Sequence, residues 1–263
     1  MVRELSAQDR AKYAAAHAAL DELRDGMRIG LGTGSTAAWF LRLLADRIRL
    51  EGMQVTGVPT SLATGELAEQ LGIPLSTLDD TGWLDLTVDG ADEIDPRLTL
   101  IKGAGGALLQ EKIVAAASDR MVVIADDSKS VRKLGAVYPL PVEIVPFGWE
   151  TTRSVIEEAL QSADVDGHRT ALRMQGDAPY MTDEGHFLID LYTVHIRKPG
   201  ELAVMLNMIP GVVETGLFID IADVALLGAE DGTVRRIEPD AGSTLVDPTE
   251  ADGGESLFRD QGQ

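Results

Sequence analysis

Short apolar runs alternate with helical patterns through the first half of the chain, which points to a mostly parallel sheet wrapped by helices. "MRIGLG" reads as a strand and "STAAWFLRLLADRI" as a helix with Ser35 or Thr36 near its N-cap. "QVTGVP" reads as a strand and "ATGELAEQLG" as a helix closing on Gly72. "LDLTVD" and "LTLIK" follow as strands, then "GALLQEKIVAAAS" as a helix and "RMVVIAD" as a strand. Each polar motif falls just after a strand, where open α/β sheets bind their ligands.

The rhythm changes near Leu134. "PVEIVP", "GWETTRSVIEEALQ", "HRTALRM", "HFLIDLYTV", "PGELAVMLNMI" and "GVVETGLF" give the order β-α-β-β-α-β of ferredoxin-like modules. "DVALLGAEDGTVRRIE" then reads as a hairpin returning to the first unit. The expected fold is therefore α/β: a Rossmann-like open sheet with helices on both faces, plus a smaller ferredoxin-like α+β domain. Residues 1–134 and 219–240 are expected to form the Rossmann-like catalytic domain and residues 135–218 the small domain. Residues 241–263 lack apolar periodicity and are expected to be an acidic, disordered tail. No internal repeat is visible.

Composition excludes several functions. The chain has 263 residues and no cysteine, which removes disulfides, thiolate catalysis and cysteine-bound zinc. His17, His168, His186 and His195 show no metal-ligand spacing. A formal charge of −20 opposes binding to nucleic acid and to anionic lipid, since both need a basic face. No apolar stretch is long enough to span a membrane and the N-terminus is too polar for a signal peptide, so the expected location is the cytoplasm. An acidic chain with six lysines against 17 arginines has the composition of proteins kept soluble in concentrated salt, and a halophilic source is expected. The scarcity of lysine makes each one informative. Four of the six lie between Lys102 and Lys133.

"GLGTGST" joins a strand to a helix through small residues, so backbone N–H groups and hydroxyls at the helix N-terminus can hold an anion. It is neither a Walker loop nor a dinucleotide fingerprint, because no Gly-Lys-Ser/Thr follows and Ser35 replaces the third glycine. An ordinary tight turn is the alternative. "DGADE" places Asp89 at the end of a strand and Asp92 and Glu93 on the turn after it. Clustered carboxylates bind a hard cation or perturb one another for proton transfer, and a solvated turn is the alternative. The calcium-loop spacing is absent, and nothing in the pattern supports magnesium. "IKGAGG" adds Lys102 and a glycine loop. Glu111 lies about a turn and a half into the next helix, pointing away from an apolar face of Leu109, Ile113 and Ala116, either into solvent or toward a cleft roofed by the other loops. "ADDSKS" adds Lys129. Carboxylates, lysines and a phosphate cradle along one sheet edge suit proton abstraction beside the carbonyl of a sugar phosphate, with no need of metal or redox cofactor.

"GLGTGST", "VDGADEID", "IKGAGGALLQEKI", "IADDSK", "PLPVEIVP" and "IPGVVETGLF" together resemble, in order and spacing, the type A ribose-5-phosphate isomerases over roughly residues 8 to 238. The resemblance implies interconversion of D-ribose 5-phosphate and D-ribulose 5-phosphate through a metal-free enediolate, in the non-oxidative pentose phosphate pathway. It implies that Glu111 is the base moving a proton between C2 and C1. Asp89 and Asp92, on a loop with Gly90 and Ala91, would contact sugar hydroxyls and assist ring opening. Lys102 and the backbone of Gly103, Ala104 and Gly105 would stabilise the enediolate. Thr33, Gly34, Ser35, Thr36 and Lys129 would hold the phosphate, joined by Lys12 from the first helix. A homodimer or homotetramer is implied as well.

Two rivals follow from related architectures. A sugar-phosphate sensor would usually carry a helix-turn-helix, and only about 28 residues precede the first strand, too few for one. Amino-sugar phosphate deaminases and coenzyme A transferases would be revealed by ammonia release or by an acyl-enzyme at a glutamate.

Overall fold

The structure, a computed structural model, describes residues 5–239 and 242–246. The chain opens with α1 (Ala7–Ala19), capped by Ser6, whose hydroxyl accepts the Asp9 N–H. β1 (Arg28–Leu31), α2 (Ser35–Glu51), β2 (Thr56–Pro59), α3 (Leu62–Gln70), α4 (Leu78–Thr81) and β3 (Leu86–Asp89) follow. Two short strands, β4 (Glu93–Ile94) and β5 (Leu100–Ile101), precede α5 (Leu108–Ala116) and β6 (Met121–Asp126). Next come β7 (Leu140–Ile144), α6 (Trp149–Ser162), β8 (Arg169–Leu172), β9 (Met174–Gln175), β10 (Ala178–Pro179), β11 (Phe187–Tyr192) and α7 (Pro199–Asn207). β12 (Val212–Thr215), β13 (Leu217–Phe218), β14 (Val224–Gly228), β15 (Val234–Glu238) and β16 (Gly242–Val246) complete the described chain.

The main sheet has the order β16-β15-β14-β6-β3-β1-β2. β2, β1, β3, β6 and β14 run parallel, and β15 and β16 return antiparallel. Among the five parallel strands the spatial order is second, first, third, fourth, fifth, so the crossovers change direction between β1 and β3. Ligands bind at such a switch point, beyond the carboxyl ends of the strands.

A strand covered on both faces reads as an unbroken apolar run, and β6 shows why. Val122 and Ile124 face a core with Ala15 of α1 and Phe40 and Leu44 of α2. Met121, Val123 and Ala125 face the opposite core, with Leu100, Ala115 and Phe218. Phe40 is fully buried, and truncating it to alanine would cost about 3–5 kcal/mol.

A four-stranded antiparallel sheet of order β12-β7-β11-β8 carries the β-α-β-β-α-β segment. Its apolar face, with Val142, Ile144, Ile189 and Leu191, packs on Ile156 and Leu160 of α6 and Leu202 and Leu206 of α7.

Three expectations are corrected here. "LTLIK" does not join the main sheet: β5 lies between β4 and β13 in a separate three-stranded antiparallel sheet. "GVVETGLF" is two strands, since Gly216 turns the chain from β12 into β13 between the backbones of Lys102 and Pro141. The segment after Pro239 is not wholly without structure, because β16 pairs with β15 from Glu238↔Gly242 to Val234↔Val246. Polar residues on an exposed edge strand hide the alternation that would have revealed it. The rest of the expected tail lies outside the described residues.

Candidate active site

The carboxyl ends of β1 and β3 lie side by side and carry the first two motifs. Gly32 follows β1, and a β-carbon there would meet the Asp89 Cα at 2.4 Å, so only glycine lets the two strand ends approach this closely. The Gly32 N–H is bonded to the Val88 carbonyl (2.9 Å), and the Thr33 N–H donates to Asp89 Oδ1 (3.0 Å).

The cap of α2 is Gly34, with no side-chain cap, and the first intrahelical bond runs from the Ala38 N–H to the Gly34 carbonyl. Ser35 and Thr36 are therefore the first two helical residues rather than the cap. Their N–H groups stand at the positive end of the helix, where an anion is favoured. Thr33 differs from its neighbours. Its hydroxyl is engaged with Thr60 Oγ1 (2.8 Å), Ser61 Oγ (2.9 Å) and Thr64 Oγ1 (3.1 Å), which fixes the turn from beneath.

The three acids of "DGADE" separate into three roles. Asp89 is fully buried. Its Oδ1 accepts from Thr33 and Gly90 N–H groups, and its Oδ2 faces Lys102 Nζ at 3.0 Å. It does not line the cavity and stands behind Lys102. Asp92 does line the cavity and accepts the Ala104 N–H (2.9 Å), and burial raises its pKa above the usual carboxylate range. Glu93 is structural. It is buried and accepts the N–H groups of Gly135, Val137 and Tyr138, each at 2.6 Å, so it holds the loop that places Tyr138 on the cavity wall.

Lys102 follows β5 and is 2% exposed. Its ammonium donates to Glu111 Oε1 (3.1 Å) and the Gly90 carbonyl (2.6 Å) and is ion-paired with Asp89 Oδ2 (3.0 Å). Burial works against its charge, but Asp89 and Glu111 outweigh burial and keep its pKa above the ordinary lysine range.

Glu111 lines the cleft rather than facing solvent, and the helix face predicted to be apolar is the one that differs. α5 begins at Leu108, so Glu111 lies in the first turn, and the buried face is Leu108, Glu111, Val114 and Ala115. Ile113 is 49% exposed and Ala116 is exposed, so the face expected to be apolar and inward faces solvent. Burial pushes the Glu111 carboxyl up to about 8, against the pull of Lys102 and helped by the charges of Asp89 and Asp92. Its Oε2 is buried without a hydrogen-bond partner among the described residues. A carboxylate with one oxygen tied and the other unpartnered is suited to take a proton from carbon.

These groups surround a cavity of about 390 Å³, at the small end of the usual range for ligand pockets. Its lining includes all the expected site residues except Asp89: Lys12, the residues 33–36, 90–92 and 102–105, Glu111 and Lys129. Gln8, Asp126 and Tyr138 also line it and were not expected. Gln8 is one turn before Lys12 on α1, a spacing that places both on one face. Asp126 ends β6 as Asp89 ends β3, so strand-end position was a usable signal. Tyr138 has no such signal.

A base of raised pKa, a buried ammonium beside it and a helix N-terminus on the same cavity equip an enzyme that shifts protons on a small phosphorylated substrate. The comparisons with known proteins agree. The family ribose 5-phosphate isomerase A (phosphoriboisomerase A) matches residues 56–232. The chain is 54% identical to the ribose-5-phosphate isomerase A of Ruegeria sp. (strain TM1040) over 260 residues, covering 99% of each. It is 58% identical to that of Jannaschia sp. (strain CCS1) over 234 residues, 89% of each. The solved ribose 5-phosphate isomerase A from Methanocaldococcus jannaschii is 41% identical with a TM-score of 0.79, covering 86% of this chain and 97% of that one. A D-ribose-5-phosphate isomerase in complex with phospho-erythronic acid is 40% identical with a TM-score of 0.82, covering 88% of this chain and 99% of that one. The chain belongs to the ribose 5-phosphate isomerase A family.

Proposed function

We propose that Glu111 carries the proton between C2 and C1 in the family's reaction, the interconversion of D-ribose 5-phosphate and D-ribulose 5-phosphate, a step of the pentose phosphate pathway. The supporting observation is the buried pair of Lys102 and Glu111, with Glu111 Oε2 left unpartnered among the described residues.

From the open-chain aldose, Glu111 removes the proton on C2 and the electron pair moves through the C1–C2 bond to the carbonyl oxygen. The resulting enediolate takes the same proton back at C1, while the C2 hydroxyl proton passes to O1. Glu111 loses its charge as the substrate oxygen gains one. Lys102, held between two carboxylates, thereby trades one anionic partner for another at unchanged total charge nearby. Lys102 supplies the cation that a metal would otherwise supply. Asp89 keeps Lys102 charged and fixes the Thr33 turn, and Asp92 is the carboxylate for sugar hydroxyls. The N–H groups of Gly103 and Gly105 assist at the oxyanion. Ser35, Thr36, Lys12 and Lys129 hold the phosphate, with Thr33 and Gly34 shaping the turn.

The test is ribulose 5-phosphate formation in EDTA by the intact chain and by Glu111→Gln. Turnover that survives chelation and collapses in the variant supports the reading. A folded chain that binds the sugar phosphate without turnover would make it a sensor instead.

The same proposal extends to a homodimer or homotetramer in the cytoplasm, tolerant of concentrated salt. Exposed apolar side chains such as Phe147 (91% exposed) and Met208 (78%) favour self-association. The excess of 43 acidic over 23 basic residues favours function in salt, and no described helix is long and apolar enough to cross a membrane. Sedimentation and activity across a salt series would test both.

A further inference from the structure

The glycine loop beside Lys102 is held from outside by the second sheet. Arg173, between β8 and β9, donates from Nη1 to the carbonyls of Gly103 (2.7 Å) and Ala104 (3.2 Å). Its remaining nitrogens face Asp190 of β11, with Nε to Oδ2 at 3.0 Å and Nη2 to Oδ1 at 2.5 Å. Both side chains are largely buried, at 14% and 12% exposed. Tyr180 donates its hydroxyl to the next carbonyl, Gly105 (3.1 Å), and its ring lies so close to Gly106 that a β-carbon there would meet the hydroxyl at 2.2 Å. Arg173 and Tyr180 are themselves joined, because the Tyr180 N–H donates to the Arg173 carbonyl (2.8 Å).

Three successive carbonyls of the loop are thus fixed by side chains of the β8–β11 region. A peptide plane whose carbonyl is held on one side presents the following N–H on the other. The Ala104 N–H, which follows the Gly103 carbonyl, accordingly reaches Asp92 across the loop (2.9 Å). The Gly105 N–H follows the Ala104 carbonyl, and Gly105 lines the cavity.

We propose that Arg173, locked by Asp190, and Tyr180 are positioning residues that aim the 103–105 peptide groups and Asp92 at the enediolate. They act through the loop without touching substrate. The inference rests on the enediolate reading above, so Glu111→Gln is measured alongside.

Steady-state kinetics of full-length Arg173→Gln and Tyr180→Phe decide it, with two ligands titrated by calorimetry. One ligand is a four-carbon phospho-aldonate, whose carboxylate imitates the enediolate, and the other is inorganic phosphate. Arg173→Gln is expected to lose about 10- to 100-fold in kcat, the scale of a small misplacement at a reacting centre, with little change in KM. Phospho-aldonate affinity should fall by a similar factor and phosphate affinity should hold. Tyr180→Phe, which removes one hydroxyl, is expected to lose about threefold to tenfold in kcat. If phosphate and phospho-aldonate weaken together, or KM carries the loss, the role is merely structural and the proposal is overturned. If Arg173→Gln does not fold, Tyr180→Phe decides alone: unchanged kcat overturns the proposal and a loss at constant KM supports it. A fully active Glu111→Gln would overturn the base assignment instead. An inactive Glu111→Gln beside two fully active positioning variants would overturn this inference only.

Discussion

The two ends of the cavity are built on opposite plans. At the end proposed above for the phosphate, Gly34 and Ser35 are exposed and Lys12 and Lys129 are only half-buried, so the groups offered to an anion are a helix terminus and long side chains near water. At the other end, Asp89, Lys102 and Glu111 are buried and already bonded to one another. On the proposed reading, the first arrangement recognises a charge that substrate brings and the second holds a charge distribution that the reaction needs. Ground-state binding can be screened and flexible, whereas a group that acts on a developing charge gains most when it is fixed and dry.

Breaking the buried end should have the largest effect. Glu111→Gln is expected to lower kcat by about 100- to 10,000-fold with a small change in KM, read in the coupled isomerase assay. Lys102→Met should lower kcat by about 100- to 1,000-fold. It should also lower the urea midpoint, because it leaves Asp89 and Glu111 without their cation, at a cost of about 3–5 kcal/mol.

The pH profile sharpens the comparison. Glu111 must be ionised to act, and its carboxyl is raised to about 8, so kcat/KM should rise with pH through that region rather than near ordinary carboxylate values. The charge of Asp92 helps to raise it. Asp92→Asn removes that charge and should move the acid limb to lower pH, whatever it does to the absolute rate. A limb that stays in place would show that burial and Asp89 set it without Asp92.

Loosening the phosphate end should have the smallest effect on chemistry. Lys129→Ala is expected to raise KM about tenfold and leave kcat nearly unchanged, the scale of one charged hydrogen bond. Added salt should raise KM in the same way and leave the acid limb in place, since screening acts on exposed charges more than on buried ones. A kcat that falls with KM in Lys129→Ala would join the two ends into one unit.

Much of this was legible in the residue order. Alternating runs located β1, β3 and β6, and the motifs after them met at the switch point because parallel strands end on one edge. The face of α5 was misread for a physical reason. Leu109 and Ile113 are apolar at helical spacing and Glu111 is charged, so periodicity put the glutamate opposite them without deciding between solvent and a cleft. Only Lys102, brought in from a different small sheet, makes its burial tolerable. Arg173, Asp190 and Tyr138 come from segments far along the chain, and no local pattern ties them to the glycine loop.

The sequence by itself determined most of the elements, the mostly parallel sheet wrapped by helices and the set of motifs, because backbone propensity and apolar period are local properties. The tertiary structure decided which acid lies beside the lysine, which acid merely anchors a loop and which second-sheet side chains hold the glycine turn. Those outcomes depend on burial and on charges meeting across a fold, and neither can be read from neighbours in a chain.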